Sequence, residues 1–185
     1  MPINYIESVK KLFEYYKSLG EKTFDQLEEP DLFWQYNPES NSIAIIVNHL
    51  WGNMKSRWTD FLHSDGEKTW RNRDQEFEPL ITTKADMMNK WNDGFTCLFN
   101  ALDAITEESF SNTVYIRNQA HAIPEAINRQ LAHYASHIGQ IIYIGRMIKG
   151  SAWKSLSIPK GASSQFNKDK VAKGKHGGHF TEDIK

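Results

Sequence analysis

Four stretches of this sequence repeat apolar residues at three- and four-residue steps, a period that only helices can bury on one side. The clearest surrounds Asn128 to Arg146, where Ile127, Leu131, Tyr134, Ile138, Ile141 and Ile142 share a stripe. A second runs from Ser42 to His63 through Ile43, Ile46, Val47, Leu50, Met54, Trp58, Phe61 and Leu62. A third runs from Thr82 or Thr83 to about Ile105, and the first from Asn4 to Leu19. No sustained alternating pattern competes with them. The expectation is an all-α four-helix bundle.

The punctuation sharpens these bounds. Gly20 reads as the stop of the first helix, with one more turn over Thr23 to Leu27. Ser42 is suited to cap the second helix and Thr82 or Thr83 the third. Pro124 fits the first turn of the fourth helix, which Gly150 ends. Between the third and fourth helices, Thr113 to Arg117 is rich in β-formers, and Asn118 can turn the chain into a short hairpin. Phe33, Trp34 and Tyr36 are expected to pack back from the loop Glu28 to Ser40. Ser64 to Leu80 reads as a charged, solvated connection, with the Asp65–Gly66 turn at its start and Trp70 and Phe77 as anchors. Trp153, Leu156 and Ile158 dock the segment after the fourth helix. One domain over residues 1–166 is expected, followed by a mobile polar tail at 167–185.

The chemistry concentrates in three histidines on predicted helices. His133 and His137 are four residues apart and share one helix face, so their imidazoles can reach one ion. His49 lies in the body of the second helix. Three imidazoles with an open position describe a catalytic metal site, although the same spacing suits core histidines bonded to neighbouring helices. Asn53 and Gln140 sit one turn from His49 and His137, where they can take the second ring N–H. Asp86 and Glu125 could serve as bases on helix-terminus grounds alone. His63, His121, His176 and His179 are poorer metal candidates, and Cys97 reads as a small apolar residue on its helix.

Composition excludes more than it assigns. A net charge of −1 gives neither the basic face that nucleic acids require nor attraction to an anionic membrane. No apolar run approaches the roughly 18 residues of a membrane span. The N-terminus lacks the apolar core of a secretory signal. A single cysteine permits no internal disulfide. A cytoplasmic protein is the simplest expectation.

The motifs NHLWGN (48–53), WRNRDQEF (70–77), INRQLAHYASHIGQIIYIGR (127–146) and WKSLSIPKG (153–161) together resemble the DinB/YfiT-like superfamily, and within it a branch of unknown function. The resemblance covers the chain to about Phe166. It implies a four-helix bundle holding one divalent metal, zinc or nickel, on three histidines, which fall here at His49, His133 and His137. It further implies a homodimer of bacterial origin acting on a small molecule. Some relatives transfer groups to low-molecular-weight thiols such as bacillithiol or mycothiol. On that reading Arg71, Arg73 and Asp74 would bind the cofactor or substrate. A metal-dependent hydrolase and a non-catalytic, stress-related metal-binding dimer are the alternatives.

Overall fold

The computed structural model describes residues 2–175 and 177–183. Its long elements are α1 (Pro2–Phe24), α2 (Ile43–Trp58), α3 (Lys84–Asp103) and α4 (Ile123–Lys149). They form a helical bundle in which α2 packs chiefly on α3 and α1 on α4. A hairpin of β1 (Thr113–Ile116) and β2 (Gln119–Ala122) precedes α4, and α5 (Ser163–Ala172) follows it.

The caps sit where the side chains dictate. Ser42 Oγ accepts from the Ile45 amide at 3.2 Å, and Thr83 Oγ1 from the Asp86 amide at 3.1 Å. Pro124 lies in the first turn of α4, and Gly150, with φ of 53°, closes it. The core is apolar and aromatic. Phe13 lies 5.8 Å from Tyr134 and 6.3 Å from Trp58, ring centre to ring centre, and joins three of the helices.

Two helix ends differ from expectation. Gly20 does not stop α1. A Cβ there would come within 2.6 Å of the Trp91 ring, so this glycine lets α1 lie close against α3, and the helix continues to Phe24. Burial of Phe24 against Trp91, at 5.1 Å between rings, explains the extra turn. In contrast, α2 ends at Trp58, before His63. The chain reverses at Asp60, whose φ is 48°, and the turn brings Phe61 to within 4.9 Å of the Trp58 ring. The apolar spacing of Phe61 mimics a helix because a tight turn returns it to the same core.

The aromatic anchors are also partly reassigned. Leu32 is buried in the first connection and Phe33 is half-buried, but Trp34 is partly and Tyr36 largely exposed. In the second connection Trp70 faces solvent. That connection is held instead by polar bonds. The Asp65 carboxylate accepts from the amides of Arg117 and Asn118 at 2.8 and 2.7 Å. These two residues have φ of 55° and 61°, the pair of left-handed conformations that a two-residue hairpin turn requires. Ser56 and Arg57 of α2 both donate to the Gly66 carbonyl. The stretch is therefore stitched to α2 on one side and to the hairpin on the other.

After α4, Trp153 and Leu156 are half-buried, whereas Ile158 is exposed. Gln26, just past the end of α1, bridges to the Lys154 backbone. Further on, Phe180 meets Tyr15 at 6.0 Å and Lys11 pairs with Glu182 at 2.6 Å. His176 lies outside the described residues.

Candidate metal centre

His49 comes from the middle of α2 and is buried, while His133 and His137 come half-buried from one face of α4. The three Nε2 atoms converge. His133 Nε2 lies 3.2 Å from that of His49 and 3.0 Å from that of His137. A tetrahedral ion with ligand bonds of about 2.0–2.1 Å needs nitrogens about 3.3 Å apart, so the spacing suits one ion with little movement.

Hydrogen bonds on the outer nitrogens fix the tautomers. His49 Nδ1 donates to Glu76 Oε2 at 2.8 Å, and His137 Nδ1 donates to Gln140 Oε1 at 3.1 Å. With those protons on Nδ1, both Nε2 atoms present lone pairs to His133. His133 can supply one N–H at most, which leaves a lone pair with no donor. A cation completes such a set. The electrostatics keep the rings of His133 and His137 neutral as well. Burial, with His137, His49, Arg57 and Arg71 nearby, pushes the His133 pKa down to about 3. Burial also lowers that of His137.

Glu76 is the neighbour of the histidine cluster that the sequence does not point to. It is 6% exposed, although it lies in the stretch expected to be solvated. Arg71 donates to both its oxygens, Nε at 2.7 Å and Nη2 at 2.9 Å. Asn48 donates to its backbone carbonyl at 3.0 Å. Burial pushes the Glu76 carboxyl up, but the bonds from His49 and Arg71 outweigh it and hold the group below its usual range. A Cβ at Gly52 would fall 2.5 Å from Glu76 Oε1, so this helical glycine clears the space in which the carboxylate lies. Phe77 then stacks on the His49 ring at 4.6 Å.

The other expected residues separate. Asn53 does not bond His49. Its Oδ1 accepts from the Tyr134 hydroxyl, which itself accepts from Trp58 Nε1, both at 3.0 Å. This buried chain fixes α4 against α2 directly behind His133. The Arg71 side chain is 2% exposed and engaged by Glu76 and Glu67. Arg73 lies over the Phe77 ring at 5.2 Å. Arg71 and Arg73 line a cleft of about 370 Å3 over the histidines, together with Asn53, Arg57, Arg117 and Arg129. Asp74, Asp86 and Glu125 are not among the residues lining it. Cys97 faces a separate cleft, 3.6 Å from Thr59 Oγ1.

The family model described as "Protein of unknown function (DUF1572)" matches residues 1–162. The chain belongs to this family. No curated protein and no solved structure matches it. In this DUF1572 protein the match spans all three histidines, Glu76 and the hairpin, so the candidate centre lies wholly within the family segment. No helix among the described residues is long and apolar enough to cross a membrane.

Proposed function

We propose that this protein binds one divalent metal ion, zinc or nickel, at His49, His133 and His137, and that it is a metal-dependent enzyme of the DinB/YfiT-like superfamily acting on a small molecule. The observation that carries the reading is the convergence of three Nε2 atoms with two outer nitrogens already bonded to Glu76 and Gln140. Such outer partners orient ligating imidazoles and raise their basicity. Three protein ligands leave a coordination position for a reactant.

The residues present divide the work. His49, His133 and His137 hold the ion. Glu76 orients His49, and Arg71 holds Glu76 ionised. Gln140 orients His137. A bound divalent ion supplies Lewis acidity and lowers the pKa of an S–H or O–H group brought to it. Transfer to a low-molecular-weight thiol of the bacillithiol type is the reaction we favour over hydrolysis, because no carboxylate among the described residues lines the cleft to act as base toward water. Arg73 stands in the cleft to meet the cofactor or substrate. Arg71, engaged with Glu76 and Glu67, acts as scaffold, and Asp74 lies outside the lining of the cleft. A homodimer in a bacterial cytoplasm is the setting we assign, with Tyr143 and Met147 of α4 offering exposed apolar surface.

The test is the metal content of tag-free protein by elemental mass spectrometry, beside His133→Ala. About one equivalent of zinc or nickel per chain, lost in the variant, is expected and would lead to thiol-transfer assays. Absence of metal after reconstitution with zinc, nickel, iron and manganese salts would overturn the reading.

A further inference from the structure

The cleft over the histidines has a charge the metal reading does not use. Among the described residues, five arginines line it (Arg57, Arg71, Arg73, Arg117 and Arg129) and no carboxylate does. Two carboxylates stand behind the lining. Glu76 is taken by Arg71 and His49, and Glu67 is shared by Arg57, Arg71 and Arg117. Among the described residues, Arg73 and Arg129 have no carboxylate partner. Arg73 lies over Phe77, and Arg129 bonds His121 Nε2 at 3.0 Å. Guanidinium charge is thus in excess on one wall of a small, concave site.

Among the described residues, two of the same lining each hold a buried polar atom that lacks a partner. Arg57 is 5% exposed and its Nε has no acceptor, while Gln130 is 4% exposed and its Oε1 has no donor. Both atoms lie too deep to meet a ligand in the cleft directly, so the exposed guanidiniums of Arg73 and Arg129 are the groups available to one. The fork of a guanidinium matches the oxygens of a carboxylate or phosphate. The volume, about 370 Å3, lies at the small end of the roughly 300–1,000 Å3 of small-molecule sites.

We propose that the substrate of this centre carries an oxyanion, a carboxylate or a phosphate, that the exposed guanidiniums of Arg73 and Arg129 hold beside the histidines. This rests on the metal-centre reading for what the substrate is brought to, but the oxyanion wall itself is made of protein groups alone.

The experiment is calorimetric titration of the full chain with inorganic phosphate and, separately, succinate. It uses chelator-treated and metal-reconstituted protein, wild type and Arg73→Gln/Arg129→Gln. Both replaced side chains are exposed, so the variant retains the fold, which circular dichroism verifies, and the two single variants supply independent readings. Saturable binding of at least one anion to metal-free protein, weakened at least about tenfold in the double variant with its metal content unchanged, is expected. Phosphate binding alone assigns a phosphate-bearing substrate, and succinate binding alone a carboxylate. No saturation by either anion, affinity unchanged in the double variant, or binding only to metal-loaded protein would each overturn the proposal. If metal is never retained but the anion saturates, the metal reading fails and the oxyanion wall stands. If one equivalent of metal is held and neither anion binds, the metal centre stands and the oxyanion wall fails.

Discussion

The candidate centre is assembled from two unlike regions. α2 and α4 bring three imidazoles together by helix geometry, and each ligand sits on an element whose position the bundle core dictates. Residues 65–77 instead form an irregular connection, placed by long-range polar bonds to Ser56, Arg57, Asn48 and the hairpin turn. The helices decide where an ion can sit. The connection decides how the nitrogens around it are polarised, because Glu76, Arg71 and Glu67 all come from it. A site of this kind can keep its ligands and still lose its tuning, so the two regions are separable by substitution.

The largest separable effect is expected at Glu76. Glu76→Ala removes the acceptor of His49 and leaves Arg71 buried with Glu67 as its remaining carboxylate. Truncating one member of a buried pair costs about 3–5 kcal/mol, and because Glu67 stays, a loss near 3 kcal/mol in denaturant unfolding is the expectation. Metal affinity should fall a further ~10- to 100-fold in competition with a chelator. Unchanged stability and affinity would show that the connection is ornament to a centre built by helices alone.

Gly52→Ala tests the same link from the helical side. At an ordinary helical position this change stabilises by about 0.5–1 kcal/mol. Here the added methyl meets the Glu76 side chain at 2.5 to 2.9 Å, and overpacking of that kind costs about 1–3 kcal/mol. The sign of the change therefore reports whether Glu76 lies where the structure has it. A stabilised variant with intact metal affinity would place the carboxylate elsewhere.

These two residues also mark where the sequence stops being informative. His133 and His137 are legible because an amphipathic stripe fixes which face of α4 looks inward. His49 is less so, since Ile43 to Leu50 is buried all round and its pattern gives no direction. The caps at Ser42 and Thr83 and the hairpin turn at Asn118 follow from local chemistry and stand in the sequence plainly. Glu76 does not. An acid among Asp, Arg and Gln residues reads as solvated, and only contacts 27 residues distant in sequence bury it. The available signal is Gly52, a helix-interior glycine three residues after His49, where close approach by another group is the usual reason. Gly20 carries the same message, but its place near the end of an apolar stripe makes it look like a stop.

The pH dependence of the metal-free protein separates the regions in another way. His133 has its pKa held at about 3 in the fold against about 6.5 when unfolded. Between these values the unfolded chain binds more protons, so stability rises with pH across that window. It is lost progressively as pH falls below about 6.5. The contribution of Glu76 has the opposite origin but acts in the same direction. Its carboxyl is held low by His49 and Arg71 against the effect of burial, so its stabilisation is present above the unfolded carboxylate pKa and lost as pH falls through the folded one. Unfolding midpoints measured from pH 7 to pH 4 should therefore decline, and His133→Gln should flatten the upper part of the curve alone. An equally steep curve in that variant would remove His133 as its cause.

The smallest effect is expected at Gln140, the outer partner of His137. The residue is exposed, and its bond to Nδ1 is 3.1 Å long, so in Gln140→Ala a water molecule can take the same proton. A neutral hydrogen bond contributes about 0.5–1.5 kcal/mol net, and replacement by water recovers part of it. Metal affinity should fall only a few-fold and the unfolding midpoint should hardly move. The contrast with Glu76 lies in burial and charge, because both residues accept from the outer nitrogen of a histidine in the cluster. If Gln140→Ala proved as damaging as Glu76→Ala, polarisation by the buried carboxylate would not be what sets the centre, and ring orientation alone would account for both.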